Sequence, residues 1–168
     1  TIAAKGTGSL YYYYEVSGIK LTPNLSDKDN HLKVRRRFLD RNGNSLNGNT
    51  FNQNDLLVVE ITAQSESGTA VDNVAITDLL PACFEIENSR LVAEREMDFM
   101  KNRSTAEYTD IRDDRISFFT SLAGTPKTFY YTVRVVSKGS YVLAAVSADA
   151  MYNGEYHSYS GSGKIFVK

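Results

Sequence analysis

Arg112-Asp113-Asp114-Arg115 is the run of side chains in this sequence most able to do chemistry. Paired carboxylates can trade protons or hold a cation. In an extended chain, however, successive side chains point to opposite faces, so Asp113 shares a face with Arg115 and Asp114 shares one with Arg112. A neighbouring guanidinium keeps a carboxylate ionised, whereas a general acid working near neutral pH needs its pKa raised. Structural ion pairing is the favoured reading of all four residues, and replacing Asp113 and Asp114 by Asn is expected to lower stability. Cys83 is the sole cysteine, and its activation as a nucleophile needs a base, for which the chain offers only His31 and His157. Flanked by Leu79, Leu80 and Phe84, it reads as a small buried apolar residue.

The remaining motifs argue against catalysis and against a resident metal or cofactor. Asp27-x-Asp29-x-His31 and Asp40-x-Asn42-x-Asn44 begin like calcium loops but lack the glycine at the sixth position and the closing glutamate. Gly6-Thr7-Gly8 and Gly161-Ser162-Gly163 lack the strand-turn-helix setting of a phosphate-binding loop. Lys33, Arg35 and Arg37 form a basic row that reads as a solvated sheet face, with Arg36 on the side of Val34 and Phe38. Tyr11 to Tyr14 would place two rings on each face of a strand, where packing is their commoner use and stacking on a sugar or a base the alternative. No nucleophile, base and orienting group can be assembled, so the chain is not expected to be an enzyme.

The elements that position these residues have the periodicity of strands. Leu10–Val16, Lys33–Leu39, Leu56–Ala63, Val71–Asp78, Phe84–Leu91, Ile116–Leu122, Thr128–Val136, Tyr141–Ser147 and Lys164–Val167 are rich in β-branched and aromatic residues and are separated by turn formers. These about nine strands predict an all-β fold, an antiparallel immunoglobulin-like sandwich with at most one short helix, which Ser89–Met100 would supply. Asp40–Asn44 and Ser137–Ser140 predict hairpins, and Thr22–His31 is polar enough for a long loop. With 168 residues, 42% of them apolar, the chain can bury one substantial core without a staple, and a single domain over residues 1–168 is expected. Its 19 basic and 20 acidic residues nearly cancel, which removes the field that nucleic-acid or anionic-membrane binding depends on and favours protein partners. Starting at Thr1 with no leader-like segment, the chain reads as a mature product or an excised fragment of a larger protein.

From Lys33 to the C-terminus the order of motifs resembles the C-terminal macroglobulin-like domain of the bacterial alpha-2-macroglobulin family. The resemblance runs through Arg35-Arg36-Arg37-Phe38-Leu39, Asp55–Glu60, Thr77-Asp78-Leu79-Leu80-Pro81-Ala82 with Glu85-Ile86-Glu87, Ile111–Arg115, and Met151-Tyr152. Residues 33–168 match best, and residues 1–32 resemble the strand and loop that enter the domain. Two departures stand out: Cys83 occupies a position where glycine is usual, and Asn153-Gly154 follows the Met-Tyr pair where an acidic residue and a proline are common.

The resemblance implies a macroglobulin-like β-sandwich and a non-catalytic part in a broad-spectrum protease trap. Such proteins offer a bait segment, change shape when it is cut and entrap the attacker, in many members through a thioester. Family thioesters use Cys-x-Glu-Gln. Cys83-Phe84-Glu85-Ile86 lacks the glutamine, so the thioester would belong to a neighbouring domain. By resemblance, Met151 and Tyr152 would shield that thioester, against the alternative that they end a strand and pack on the core. The implied partners are the thioester and macroglobulin-like domains of the parent, and target proteases through it. Any membrane contact would come through a lipid anchor of the parent, and the implied location is extracytoplasmic, in the bacterial periplasm or envelope. Two other classes stay open at this stage: an immunoglobulin-like repeat of a surface adhesin or scaffold, and a carbohydrate-binding sandwich using Tyr12 or Tyr14.

Overall fold

Alternation along β2, Leu32–Leu39, shows how the sequence builds the sheet: Leu32, Val34 and Phe38 are buried on one face, with Arg36 beside them. The computed structural model describes residues 3, 5–18, 26–87, 98–100 and 103–168, and in them the chain forms thirteen strands. Ten make one antiparallel sheet. From one edge to the other its order is β6 (Phe84–Ile86), β9 (Lys127–Val135), β4 (Leu56–Ser65), β2, β1 (Lys28–Asn30), β12 (His157–Ser160), β11 (Val146–Ala150), β5 (Val71–Leu79), β8 (Arg115–Leu122) and β7 (Tyr108–Arg112). Three more, β10 (Gly139–Leu143), β13 (Gly163–Val167) and β3 (Thr50–Phe51), form a small sheet in which β13 and β3 run parallel.

The large sheet closes over its own face to make the sandwich. Phe118 on β8 stacks on Phe129 of β9, centroids 4.9 Å apart, although these strands stand ninth and second in the order. The turn into the second half comes at the short β1, where His31 takes the left-handed conformation (φ 61°) and lays its ring 4.7 Å from that of Tyr156. One continuous core runs through Val34, Ile61, Ile76, Ile116 and Val133, and the small sheet adds Phe51, Leu143 and Ile165 to it. Phe38, Phe51 and Phe84 meet edge-on or tilted at 5.4 to 6.0 Å, which joins the small sheet to both β2 and β6. Leu39, Val58 and Met100 form a second cluster on the outer face, under Phe99 and Tyr130.

The all-β sandwich agrees with the expectation, and several boundaries differ from it. Residues 10–16 form no strand, and their large apolar side chains are 65–92% exposed. Strand propensity expresses fit to a pleated, half-buried surface, and no neighbouring edge among the described residues provides one. The predicted strand Tyr141–Ser147 is two strands in different sheets, because the chain crosses from β10 to β11 at residues 144–145. Ser137–Ser140 is likewise a crossover, since β9 and β10 do not pair. Asp40–Asn44 is a turn as expected, closed by the Leu39–Ser45 bridge, with Gly43 at φ 84° and Asp40 accepting the N–H groups of Asn42 and Asn44. Of the helix expected at Ser89–Met100, residues 88–97 lie outside the described residues, and Asp98–Met100 is a single 3-10 turn. β1, β3, β7 and β12 escaped prediction: β1 is polar and lies in the stretch Thr22–His31 expected as a loop, β3 is only two residues long, β7 is exposed and β12 buries serines, so none shows apolar alternation.

Candidate functional site

Arg112–Arg115 spans a hairpin turn. Arg112 ends β7 and Arg115 opens β8, the two being register partners, so Asp113 and Asp114 form the tip between them and do not alternate across a strand. The ion pairs fall elsewhere than expected: Arg112 bonds Asp110 at 2.8 Å, and Arg115 reaches Asp114 at 3.4 Å. Arg112, Asp113 and Asp114 line an open groove between the sheet's two edges, with Pro81, Phe84 and Ile86 on the other side. No cluster of three or more metal-capable side chains gathers there or elsewhere among the described residues.

Cys83 is fully buried, and desolvation pushes its thiol up to about 11. That suppresses the thiolate, as the apolar reading requires. In both calcium-like runs an aspartate is engaged by donors of the chain itself. Asp40 is bonded by Asn42 and Asn44, and those donors hold its carboxyl below the usual range, the Asn44 side chain contributing most. Asp29 accepts from Arg35 at 2.9 and 2.6 Å and from Ser158 at 2.6 Å, and the bond from Arg35 is the main cause of its lowered pKa.

Inside the sandwich sits a polar network that the sequence reading missed. Arg36 on β2 pairs with Asp78 on β5, and their side chains are 2% and 1% exposed. Arg36 also donates to Ala144 O at 2.8 Å and Gly161 O at 2.6 Å, while Tyr131 of β9 donates its hydroxyl to Asp78 Oδ2 at 2.8 Å. Burial pushes the Asp78 carboxyl up, against the pull of Arg36 and Tyr131, and it pushes the Tyr131 phenol up strongly. This arrangement joins β2, β5 and β9 across the core. The signal was Arg36 sharing the face of Val34 and Phe38, with Asp78 one alternation beyond Ile76.

Met151 and Tyr152 lie at the opposite extreme of burial. They begin the turn between β11 and β12 and are 53% and 83% exposed, so core packing does not account for them. The turn beneath them is held by backbone bonds. Met151 N donates to Asn73 O (3.0 Å), Ala150 N to Tyr156 O (3.0 Å) and Tyr156 N to Asn153 O (3.1 Å). Asn73 has a φ of 55° beside an irregularity in the β5–β8 register, which aims its carbonyl at the turn. Asn30 Nδ2 donates to Glu155 O at 2.6 Å, fastening the far side to β1. His157 Nδ1 lies 3.0 Å from Gly154 O and donates there, because a carbonyl only accepts, while Nε2 is buried and without a hydrogen-bond partner among the described residues. The turn thus presents a thioether and a phenol ring to solvent on a braced support.

Tyr11–Tyr14 are exposed as well, with Tyr12 and Tyr14 roughly parallel at 6.5 Å, and they lie outside every strand.

Comparison with known proteins matches residues 32–155 to the family described as the bacterial alpha-2-macroglobulin MG10 domain. The chain is 29% identical over 140 residues to an alpha-2-macroglobulin of Rickettsia conorii, covering 82% of this chain and 7% of that protein. It is 26% identical over 179 residues to an alpha-2-macroglobulin homolog of Yersinia pestis, covering 94% and 9%. Among solved structures, Salmonella alpha-2-macroglobulin reacted with methylamine superposes with a TM-score of 0.73 at 25% identity, over 86% of this chain and 10% of that one. Escherichia coli alpha-2-macroglobulin activated by porcine elastase shares the fold at a TM-score of 0.77 and 23% identity, over 86% of this chain and 14% of that one. The chain therefore spans a small part of the length of the curated relatives it matches, 7% and 9% in the two named.

Proposed function

Because this chain belongs to the bacterial alpha-2-macroglobulin MG10 domain family, we propose that it is the non-catalytic C-terminal domain of a protease-trapping inhibitor and shields the thioester of a neighbouring domain with Met151 and Tyr152. The observation that supports this reading is the braced exposure of those two side chains. A thioester carbonyl is an electrophile that water and amines attack, and it persists only where they are kept away. A polarisable thioether and the face of a phenol ring exclude water and place no amine or thiolate against the carbonyl. Both residues act as a cover and take no part in acyl transfer. In the same proposal, residues 1–168 function as one domain docked on the parent's other macroglobulin-like domains, and the parent works outside the cytoplasm, in the bacterial periplasm or envelope. Target proteases meet this domain only through the parent.

The test is methylamine incorporation into the full-length parent, followed by intact mass before any protease is added. Wild type is expected to take up methylamine slowly and the Met151→Ala/Tyr152→Ala variant faster. Equal rates in the two proteins would overturn the shielding role. No incorporation by either, even after the bait is cut, would mean that the parent has no thioester to cover.

A further inference from the structure

We propose that Asn153-Gly154, at the tip of the β11–β12 turn, is a site of spontaneous deamidation that converts the carboxamide beside Met151 and Tyr152 into a carboxylate. The chemistry needs an amide nitrogen free to attack and a carboxamide carbon that can accept it. Gly154 N loses its proton to hydroxide and attacks Asn153 Cγ. That attack closes a five-membered ring; the nitrogen Nδ2 takes a proton back from water, the Cγ–Nδ2 bond breaks, and ammonia leaves a succinimide. Water opens that ring at either carbonyl, giving aspartate or isoaspartate, with no change of oxidation state.

Three features of the turn favour this path. Among the described residues Gly154 N donates to no acceptor, so no hydrogen bond has to break before attack. Gly154 is exposed, and a Cβ placed there would meet nothing within 4 Å, so the approach is open. Glu155 N donates to Asn153 Oδ1 at 3.2 Å, at the oxygen on which negative charge builds as the tetrahedral intermediate forms.

The other Asn-Gly pairs supply internal controls. At Asn42-Gly43 the glycine nitrogen is committed to Asp40 O at 3.1 Å, and a Cβ on Gly43 would lie 2.7 Å from the Phe99 ring, so attack is both bonded down and crowded. Asn47-Gly48 is exposed, but among the described residues no donor reaches the Asn47 carboxamide, and the glycine has a φ of 89°. The expected order of conversion is Asn153 first, then Asn47, then Asn42. The consequence is local: the product adds one negative charge immediately after an exposed apolar pair, altering the surface that the turn presents.

The experiment incubates the folded 168-residue chain in heavy-oxygen water at mildly alkaline pH and follows the three asparagines by peptide mapping, with a denatured sample in parallel. Asn153 is expected to convert severalfold faster than Asn42 in the folded chain, to take up one heavy oxygen and to yield both aspartyl and isoaspartyl products. Gly154→Ala should slow it severalfold, and circular dichroism of that variant checks that the fold is kept. Asn153 remaining an amide while it converts in the denatured sample would overturn the proposal. So would an Asn42 that converts as fast as Asn153.

Discussion

The sandwich interior and the β11–β12 turn have exchanged their usual contents. Inside, where apolar residues belong, Arg36 and Asp78 form a charge pair almost sealed from water; outside, where charges belong, Met151 and Tyr152 stand exposed. The difference lies in what completes each region. The interior pair is satisfied within the chain by Tyr131, Ala144 O and Gly161 O. The turn is bonded along its backbone, while its two apolar side chains gain nothing from this chain beyond support. A buried charge pair is consistent with a requirement of the fold, and a braced, exposed apolar pair is consistent with a requirement of something beyond it.

The interior should give the largest effect. Asp78→Asn leaves the Arg36 guanidinium buried without a counter-charge and is expected to cost ~3–5 kcal/mol in denaturant unfolding of the chain. The double variant Arg36→Met/Asp78→Asn removes that stranded charge and should recover part of the loss, because the carboxamide oxygen at position 78 can still accept the Tyr131 hydroxyl. A cost below ~1 kcal/mol for the single variant would mean that water reaches the pair and that the contrast is one of degree.

The same contrast explains how much of the fold is legible in the residues. Alternation found β2, β4, β5, β8 and β9 because each buries large apolar side chains on a regular face. It missed β12, whose buried positions are Ser158 and Ser160, and it misplaced a strand at residues 10–16, whose β-forming side chains have no ladder beside them. Arg36 was placed on the correct face, but its partner lay 42 positions away on a strand that only the closure of the sheet brings near. The run Arg112–Arg115 misled because alternation was applied across a turn, where side chains no longer alternate. Nothing in strand periodicity marks Met151 and Tyr152, and they were singled out by resemblance alone.

Between the two regions stands Tyr159 on β12, whose hydroxyl donates to Asp149 Oδ1 at 2.6 Å; that bond, with burial second, pushes the phenol up to about 12. Tyr130 is also raised to about 12, chiefly by burial and then by its bond to Glu60. An ordinary tyrosine in the unfolded chain ionises near ~10. The folded state therefore keeps the neutral phenol longer, and the stability this contributes is fully present below pH ~10 and is lost as pH rises through about 12. Denaturant midpoints measured across that window should fall steeply for wild type and less steeply for Tyr159→Phe. An unchanged slope would show that the bond to Asp149 does not couple β11 to β12 in solution.

The smallest effects on stability should come from the two exposed turns, and they complete the comparison. Asp113→Asn/Asp114→Asn is expected to shift unfolding by no more than ~0.5 kcal/mol, because Asp114 is largely solvent-exposed and its contact with Arg115 is long. Met151→Ala/Tyr152→Ala should be equally mild, since each side chain leaves the fold most of its surface to water. The turns then part in the parent: altering residues 113 and 114 should leave methylamine uptake unchanged, whereas altering 151 and 152 should speed it. A large loss of stability in the second variant would place its side chains among the fold's own contacts, and the contrast between a self-sufficient interior and a turn built for a neighbour would fail at that point.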